Sequence, residues 1–229
     1  GFVITQEDLW GEMEPALAAS PSAQVIFRGA RHKGTLNWDE LIAHPQRCPA
    51  RDTEAENLAL LAYTSGSTGE PKGTIHTHRD ILAIADGYAR HILSPVPNDI
   101  FAGSPPMGFT FGVGGLLVFP FRFGAATSLL ERFSPEAFVN MIRETGVTIL
   151  FCSATTYNLL LKADLPEFAS SCRSLRLCVS AGETLPAATF NAWKERTGVE
   201  ILDGIGSTEM LHIFVSSRPG ETKPGATGR

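Results

Sequence analysis

The sequence has no apolar run approaching the roughly 20 residues that a membrane-spanning helix requires. The stretch 115–121, GLLVFPF, is apolar but stops at Arg122. The opening residues show no secretory-signal pattern. No run of basic residues occurs and the formal net charge is −5, which argues against nucleic acid and anionic membrane as partners. Cysteine is scarce. Cys48, Cys152, Cys172 and Cys178 have no C-x-x-C spacing, which excludes the common zinc and dithiol motifs. It predicts buried free thiols and a reducing, cytoplasmic setting. No internal repeat is present. What remains is a chain of 229 residues, 43% hydrophobic and 19% charged. That describes a soluble globular protein with a substantial core, built as one large domain or two lobes.

Periodicity organises the chain as alternating strands and helices. Strands are predicted at 24–28, 58–63, 100–103, 125–130, 147–152, 175–180 and 199–202. The apolar 58–63 run reads as a buried strand, and Thr74 and Ile75 favour another. Helices are predicted at 36–44 after Thr35, from 81 to 92, at 109–120, from Ser134-Pro135 to Thr145, at 154–162, and at 185–197 closed by Gly198. Thr77-x-x-Asp80 fits a capping box. Ser94-Pro-Val-Pro-Asn98 is a break and the candidate lobe boundary. Such alternation implies right-handed βαβ crossovers: an α/β fold with parallel-rich β-sheets covered by helices. Ligands in such sheets bind at the carboxyl ends of the strands.

The most informative stretch is Tyr63–Gly73, YTSGSTGEPKG. Thr64, Ser65, Ser67 and Thr68 supply hydroxyl donors, Gly66 and Gly69 let the backbone approach a ligand, and Lys72 adds a mobile cation. This is the composition of a polyphosphate cradle. It is not a Walker A loop, because Pro71 precedes Lys72, Gly73 follows it, and the next residues favour a strand.

YTSGSTGEPKG closely resembles the phosphate-binding signature of the AMP-forming adenylate enzymes, which include acyl-CoA synthetases, luciferases and peptide-synthetase adenylation domains. Three further segments resemble the family's motifs. In Ser180-Ala-Gly-Glu183, the resemblance implies that Ala181, Gly182 and Glu183 line the adenine pocket with their backbone. In Asp203-Gly-Ile-Gly-Ser-Thr-Glu209, it implies that Asp203, Gly204 and Ile205 border the nucleotide, that Thr208 donates to the α-phosphate and that Glu209 holds Mg²⁺. Ile205 stands where many members have Tyr, so it packs on the purine without aromatic stacking. In 105–115, PPMGFTFGVGG, the resemblance implies an acyl-binding helix. Its glycines leave room for a flat substrate, and Phe109, Phe111 and Phe119 supply aromatic walls.

The run GIGSTEMLHIF at 204–214 resembles the benzoate and 2-aminobenzoate CoA-ligase branch. There the residues matching Gly206, His212 and Ile213 border the ring and carboxylate. His212 would orient the carboxylate or a ring substituent, although a lone His beside apolar residues is commonly a core residue. His76 and His78 are left between packing against the acyl site and capping the following helix.

The resemblance implies an ATP-dependent ligase. The acid's carboxylate attacks the α-phosphate, pyrophosphate leaves, and coenzyme A thiol then takes the acyl group from the adenylate. Ser65, Gly66, Ser67, Thr68, Gly69 and Lys72, with Thr64, would hold phosphates. Thr208, Glu209 and Lys72 would act on charge in the reaction. Thr110, Phe111, Phe119, Gly206, His212 and Ile213 would shape an aromatic-acid pocket. ATP, Mg²⁺, coenzyme A and a small aromatic acid are the expected cofactors and partners. Two alternatives stay open: an adenylation domain loading a carrier protein, and a folded nucleotide-binding piece without catalysis. An acid near the start of the acyl-binding helix would favour the first, but 107–112 reads MGFTFG. Both ends look cut, because Gly1 is not an initiator methionine and 225–229 resembles the start of a further motif. The expected division is therefore a partial first lobe over 1–93, a second lobe over 98–217 holding the acyl and adenine sites, and a truncated subdomain over 218–229. A chain so divided is expected to be inactive alone.

Overall fold

A computed structural model describes residues 2–29, 34–64, 69–163 and 165–228. Two units are resolved, residues 1–52 and 53–229. In the first, β1 (Phe2–Gln6) is followed by α1 (Trp10–Ala18), and β1 runs parallel to β2 (Gln24–Arg28). Phe27 is fully buried and meets Trp10 edge-on at 5.6 Å. The helix expected over 36–44 is shorter. Leu36–Asn37 forms β3 against β2, and α2 covers Trp38–Ile42. The cap is Asn37: its side chain accepts from Glu40 N at 3.1 Å, which ends the strand and starts the helix. β1 and α1 were not foreseen.

The second unit begins with an antiparallel hairpin, β4 (Leu58–Thr64) and β5 (Lys72–Thr77). The strand expected at 58–63 exists but is not buried. Side chains alternate across a strand, and Leu61, Tyr63 and Ile75 lie together on an exposed face while Leu60, Thr74 and His76 face the rest of the unit. A two-stranded ribbon covered on one side cannot bury both.

Thr77 and Asp80 form the expected capping box, and the helix α3 (His78–Ile84) runs on as a π-helical segment, Ala85–Leu93, to Ser94 in the left-handed region (φ 46°). Ala85, Tyr88, Ala89 and Leu93 pack in the same core as Phe101, Phe119 and Phe151. The Pro-rich turn at 94–98 lies inside the second of these compact units.

β6 (Ile100–Gly103) leads to a helical stretch made of α4 (Thr110–Val113), a π-helical turn (Gly114–Val118) and α5 (Phe119–Arg122). β7 is only Ala126–Thr127. α6 (Pro135–Thr145) starts at Ser134, whose hydroxyl accepts from Ala137 N at 3.1 Å, and stops at Gly146 (φ 69°). Then follow β8 (Ile149–Cys152), α7 (Ala154–Lys162), α8 (Phe168–Ser171), β9 (Leu177–Ser180), α9 (Ala187–Thr197), β10 (Ile201–Gly206) and β11 (Ile213–Ser216). The sheet order is β11-β10-β9-β8-β6-β7, parallel throughout except for β11.

Helices cover both faces, so the central strands are apolar without alternation. Their side chains divide strictly by position. Leu150, Cys152 and Cys178 enter a core with Phe138, Tyr157 and Trp193, while Ile149, Phe151, Leu177 and Val179 enter the core holding Tyr88 and Phe119. Three of the four thiols are buried as expected, and burial pushes Cys152 and Cys172 up to about 12, which leaves them unreactive. Cys48 is exposed.

Candidate active site

The carboxyl ends of β6, β8, β9 and β10 open into one cavity of about 540 Å³. Each strand end delivers a different wall. Ser104–Pro106 follow β6, Ser153 and Thr156 follow β8, Gly182 follows β9, and Gly206–Thr208 close β10. Phe109–Phe111 enter from the start of α4, Phe133 from the loop before α6, and His212 and Ile213 from the start of β11. The volume suits a small organic ligand, and the mix of apolar walls with a few polar groups is that of a binding site. Ser104 Oγ lies 2.9 Å from Thr156 Oγ1, and Ser153 Oγ 3.3 Å from it, giving one hydroxyl-bearing wall.

Of the residues expected from sequence, Thr110, Phe111, Gly182, Gly206, Thr208, His212 and Ile213 are brought together here. His212 is 2% exposed and enclosed by rings: Phe119 edge-on at 4.5 Å, Tyr88 at 5.5 Å, Phe111 at 5.6 Å and Phe151 at 6.1 Å. Neither ring nitrogen makes a hydrogen bond of proper geometry. Burial drives its pKa down to about 3, outweighing the opposing pull of the neighbouring Phe111 backbone. The imidazole is therefore neutral at physiological pH. Its place is kept by glycine: a Cβ on Gly114 would collide with the His212 ring, and one on Gly206 would come 2.8 Å from the His212 carbonyl oxygen. Phe119 does not line the cavity. It is fully buried behind His212 and supports the ring.

The connection from β10 to β11 is a tight turn. Met210 N donates to Ser207 Oγ at 3.2 Å, Leu211 N donates to Thr208 O at 3.1 Å, and Leu211 sits in the left-handed region (φ 64°). A buried, branched residue there is strained and persists only where packing compels it. The result is that His212 turns inward while Glu209 and Met210 point outward. Glu209 thus lines a second cavity of about 440 Å³ on the other side of the turn, with Ile75, His76, Asp80, Tyr88 and Met210. The same turn separates Thr208 from Glu209. Among the described residues no group of three or more His, Cys, Asp or Glu could hold a metal ion.

The other expected residues are placed less directly. Asp203 and Gly204 lie within β10, not in a loop after it. Asp203 is buried and accepts from Thr227 Oγ1 at 2.8 Å, and burial raises its pKa. Gly204 packs under Ile213, Ala181 is buried, and Ile205 is half-exposed on the strand. Glu183 is exposed, and its carboxylate is engaged: Thr155 donates to it from N at 2.6 Å and from Oγ1 at 2.9 Å. The Thr155 backbone bond holds its pKa below the ordinary value against a partial desolvation. This anchors the Gly182 loop (φ 89°) to the start of α7. α9 is capped at Pro186 without a side-chain bond. Thr64 and Lys72 face each other at the mouth of the hairpin and Gly69 (φ 85°) lies between them in sequence. Ser65, Gly66, Ser67 and Thr68 lie outside the described residues.

A parallel sheet with an aromatic-walled cavity and hydroxyl-bearing loops at its carboxyl edge defines a small-molecule site of the nucleotide-binding α/β class. Within that class the chain belongs to the AMP-binding enzyme family, whose profile matches residues 2–229. It is 41% identical to the benzoate–CoA ligase of Thauera aromatica over 231 residues, 99% of this chain and 43% of that protein. Over 170 residues, 74% of this chain and 32% of the other, it is 37% identical to the anthranilate–CoA ligase of Pseudomonas aeruginosa. A crystal structure of the anthranilate CoA ligase AuaEII in complex with anthranoyl-AMP superposes with a TM-score of 0.90 at 34% identity, covering 100% of this chain and 45% of that one. The chain thus spans less than half the length of these relatives. No described helix is long and apolar enough to cross a membrane.

Proposed function

We propose that the chain carries the acid site and part of the nucleotide site of an AMP-forming ligase that activates an aromatic carboxylic acid, such as benzoate or 2-aminobenzoate. ATP supplies the adenylyl group and coenzyme A receives the acyl group. The observation that carries this reading is the cavity itself: about 540 Å³, walled by Phe109, Phe111, Phe133 and Ile213, with a neutral His212 at its edge. A planar ring fits between such walls by dispersion and offset stacking.

The chain's own groups divide the work by chemistry. Phe111 and Ile213 grip the ring. His212, held neutral, forms no ion pair with the acid. The acid's carboxylate lies toward Thr208, where it meets the α-phosphate, attacks it and displaces pyrophosphate. Thr208 and Lys72 donate to the crowded phosphate oxygens. Glu209, a lone exposed carboxylate, would hold Mg²⁺, which would supply positive charge against the phosphates. Coenzyme A thiol then attacks the acyl carbon and AMP leaves. The protein supplies position and charge, with no covalent enzyme intermediate.

A calorimetric titration of this chain with benzoate, 2-aminobenzoate and octanoate tests the reading. Aromatic acids are expected to bind at least tenfold tighter than octanoate. Equal or tighter binding of octanoate overturns the aromatic assignment.

A further inference from the structure

His76 is one of six histidines in the chain, is 3% exposed, and takes no part in the acid cavity. Its Nε2 lies 2.8 Å from the carbonyl oxygen of Thr208, 132 residues away in sequence. A carbonyl oxygen only accepts, so Nε2 must carry the hydrogen and donate it. The same carbonyl also accepts from Leu211 N at 3.1 Å, the bond that closes the 207–211 turn. His76 stands on β5, four residues beyond Lys72. Side chains on a strand repeat every two residues, so His76, Thr74 and Lys72 share one face of the hairpin, opposite exposed Ile75. One hydrogen bond therefore joins the hairpin that bears Lys72 to the turn that bears Thr208 and Glu209.

We infer that His76 is a positioning residue. It holds the phosphate-binding hairpin in register with the Thr208–Glu209 turn, so that the cation of Lys72 and the hydroxyl of Thr208 act on one polyphosphate. The bond goes to main chain, so it fixes the turn whatever side chain stands at 208. A buried donor aimed at the bend of a strained turn suits this task better than simple packing, which an apolar residue would fill without the cost of desolvating a ring nitrogen. The inference rests on the ligase reading for what the two elements hold, but the mechanical link can be tested without it.

The test compares wild type with His76→Phe, which keeps a ring and removes the donor, and His76→Gln, which keeps a donor. Folding is checked by thermal melting. Hydrogen–deuterium exchange is then followed in peptides covering 72–77 and 207–211. The Phe variant is expected to speed exchange in both segments together by roughly fivefold, the size of one lost hydrogen bond, and the Gln variant to restore most of it. Faster exchange in only one segment, or no change in either, overturns the link. Should the Phe variant not fold, heteronuclear NMR of the wild-type chain decides: a scalar coupling across the bond from His76 Nε2 to the Thr208 carbonyl carbon supports it, and its absence with Nε2 unprotonated overturns it. Affinity supplies the readout that a merely structural role would not move. In the Phe variant, Mg²⁺-ATP is expected to bind about fivefold more weakly while benzoate affinity changes less than twofold; an equal loss for both ligands overturns the positioning role. Wild type failing to bind Mg²⁺-ATP at all would count against the ligase reading, and the exchange result would still decide the link.

Discussion

The two ends of the six-stranded sheet are built on opposite plans. At the amino ends of the strands, Asp99 is 2% exposed and every oxygen of its carboxylate is used. Arg176 donates to it from Nε at 2.8 Å and Nη2 at 2.6 Å, Thr148 Oγ1 donates at 2.7 Å and Val96 N at 2.8 Å. Arg176 also reaches the Leu93 and Ser94 carbonyls, so one pair ties β6, β8 and β9 to the end of the π-helical segment that follows α3. Burial opposes ionisation of Asp99, but these bonds win and hold its pKa below the ordinary value. At the carboxyl ends, among the described residues, no buried ion pair of this kind closes the sheet; Glu183 joins the Gly182 loop to Thr155 only at the exposed rim. A cavity of about 540 Å³ stands open there, His212 keeps two ring nitrogens without hydrogen bonds, and Leu211 holds a strained backbone. One end is saturated and serves stability. The other carries unmet polar capacity and strain, which are liabilities for folding and assets for a ligand.

The largest effect that would sharpen this contrast comes from the saturated end. Asp99→Ala leaves the Arg176 guanidinium and the Thr148 hydroxyl without their acceptor. Breaking a buried pair costs about 3–5 kcal/mol, and because Arg176 is 37% exposed at its side chain the lower end of that range is expected. Urea unfolding should report it, with benzoate affinity of the folded variant unchanged. A loss of affinity matching the loss of stability would break the division between the two ends. The second effect comes from the open end. Gly114→Ala places a methyl against the His212 ring, and overpacking of this kind costs about 1–3 kcal/mol. Since His212 borders the cavity, acid affinity should fall by more than tenfold in the same variant. Unaltered affinity would mean that the ring position does not govern the site.

How much of this contrast was legible in the sequence depends on range. The alternation of strands and helices, the Ser134 and Thr77 caps, and the Gly198 stop are local signals, and the structure has them where the pattern put them. The aromatic wall at Phe111 and the inward His212 followed from motif resemblance. What escaped depends on contacts distant in sequence. Asp99 and Arg176 are 77 residues apart, and neither stands in a pattern that sets it apart from solvated charges. Thr155 gave no sign of holding Glu183. Phe133, Ser153 and Thr156 join the cavity only because β8 and α6 place them there. Strand β4 was misjudged as buried because an apolar run does not reveal whether one face or two will be covered. The left-handed Leu211, which parts Glu209 from Thr208, defies local propensity altogether.

The smallest effect, and the one that reads the open end most directly, is a pH slope. In the folded chain His212 binds a proton only below about 3, whereas in the unfolded chain an ordinary imidazole binds one below about 6.5. Between these values the unfolded state holds the extra proton, so stability rises with pH and is lost progressively as pH falls from about 6.5. One proton contributes a slope of about 1.4 kcal/mol per pH unit within that window. Asp99 acts in a lower range. Its folded pKa lies below the ordinary carboxylate value, so the stability it confers is intact above about 4 and is lost only as pH falls further. Urea unfolding at pH 7, 6 and 5 therefore excludes Asp99, while Asp203, whose pKa burial raises, acts with the opposite sign, so the histidine is isolated by difference from a variant lacking the ring. His212→Leu removes the titrating ring while keeping an apolar side chain among Phe111, Phe119 and Phe151, and the slope between pH 6 and 5 should fall by that one-proton amount. An aromatic acid bound in the cavity should leave the wild-type slope in place if it packs against a neutral ring. A slope that is already absent in wild type would mean that His212 finds a partner or water in solution, and the open end would then be less open than it looks.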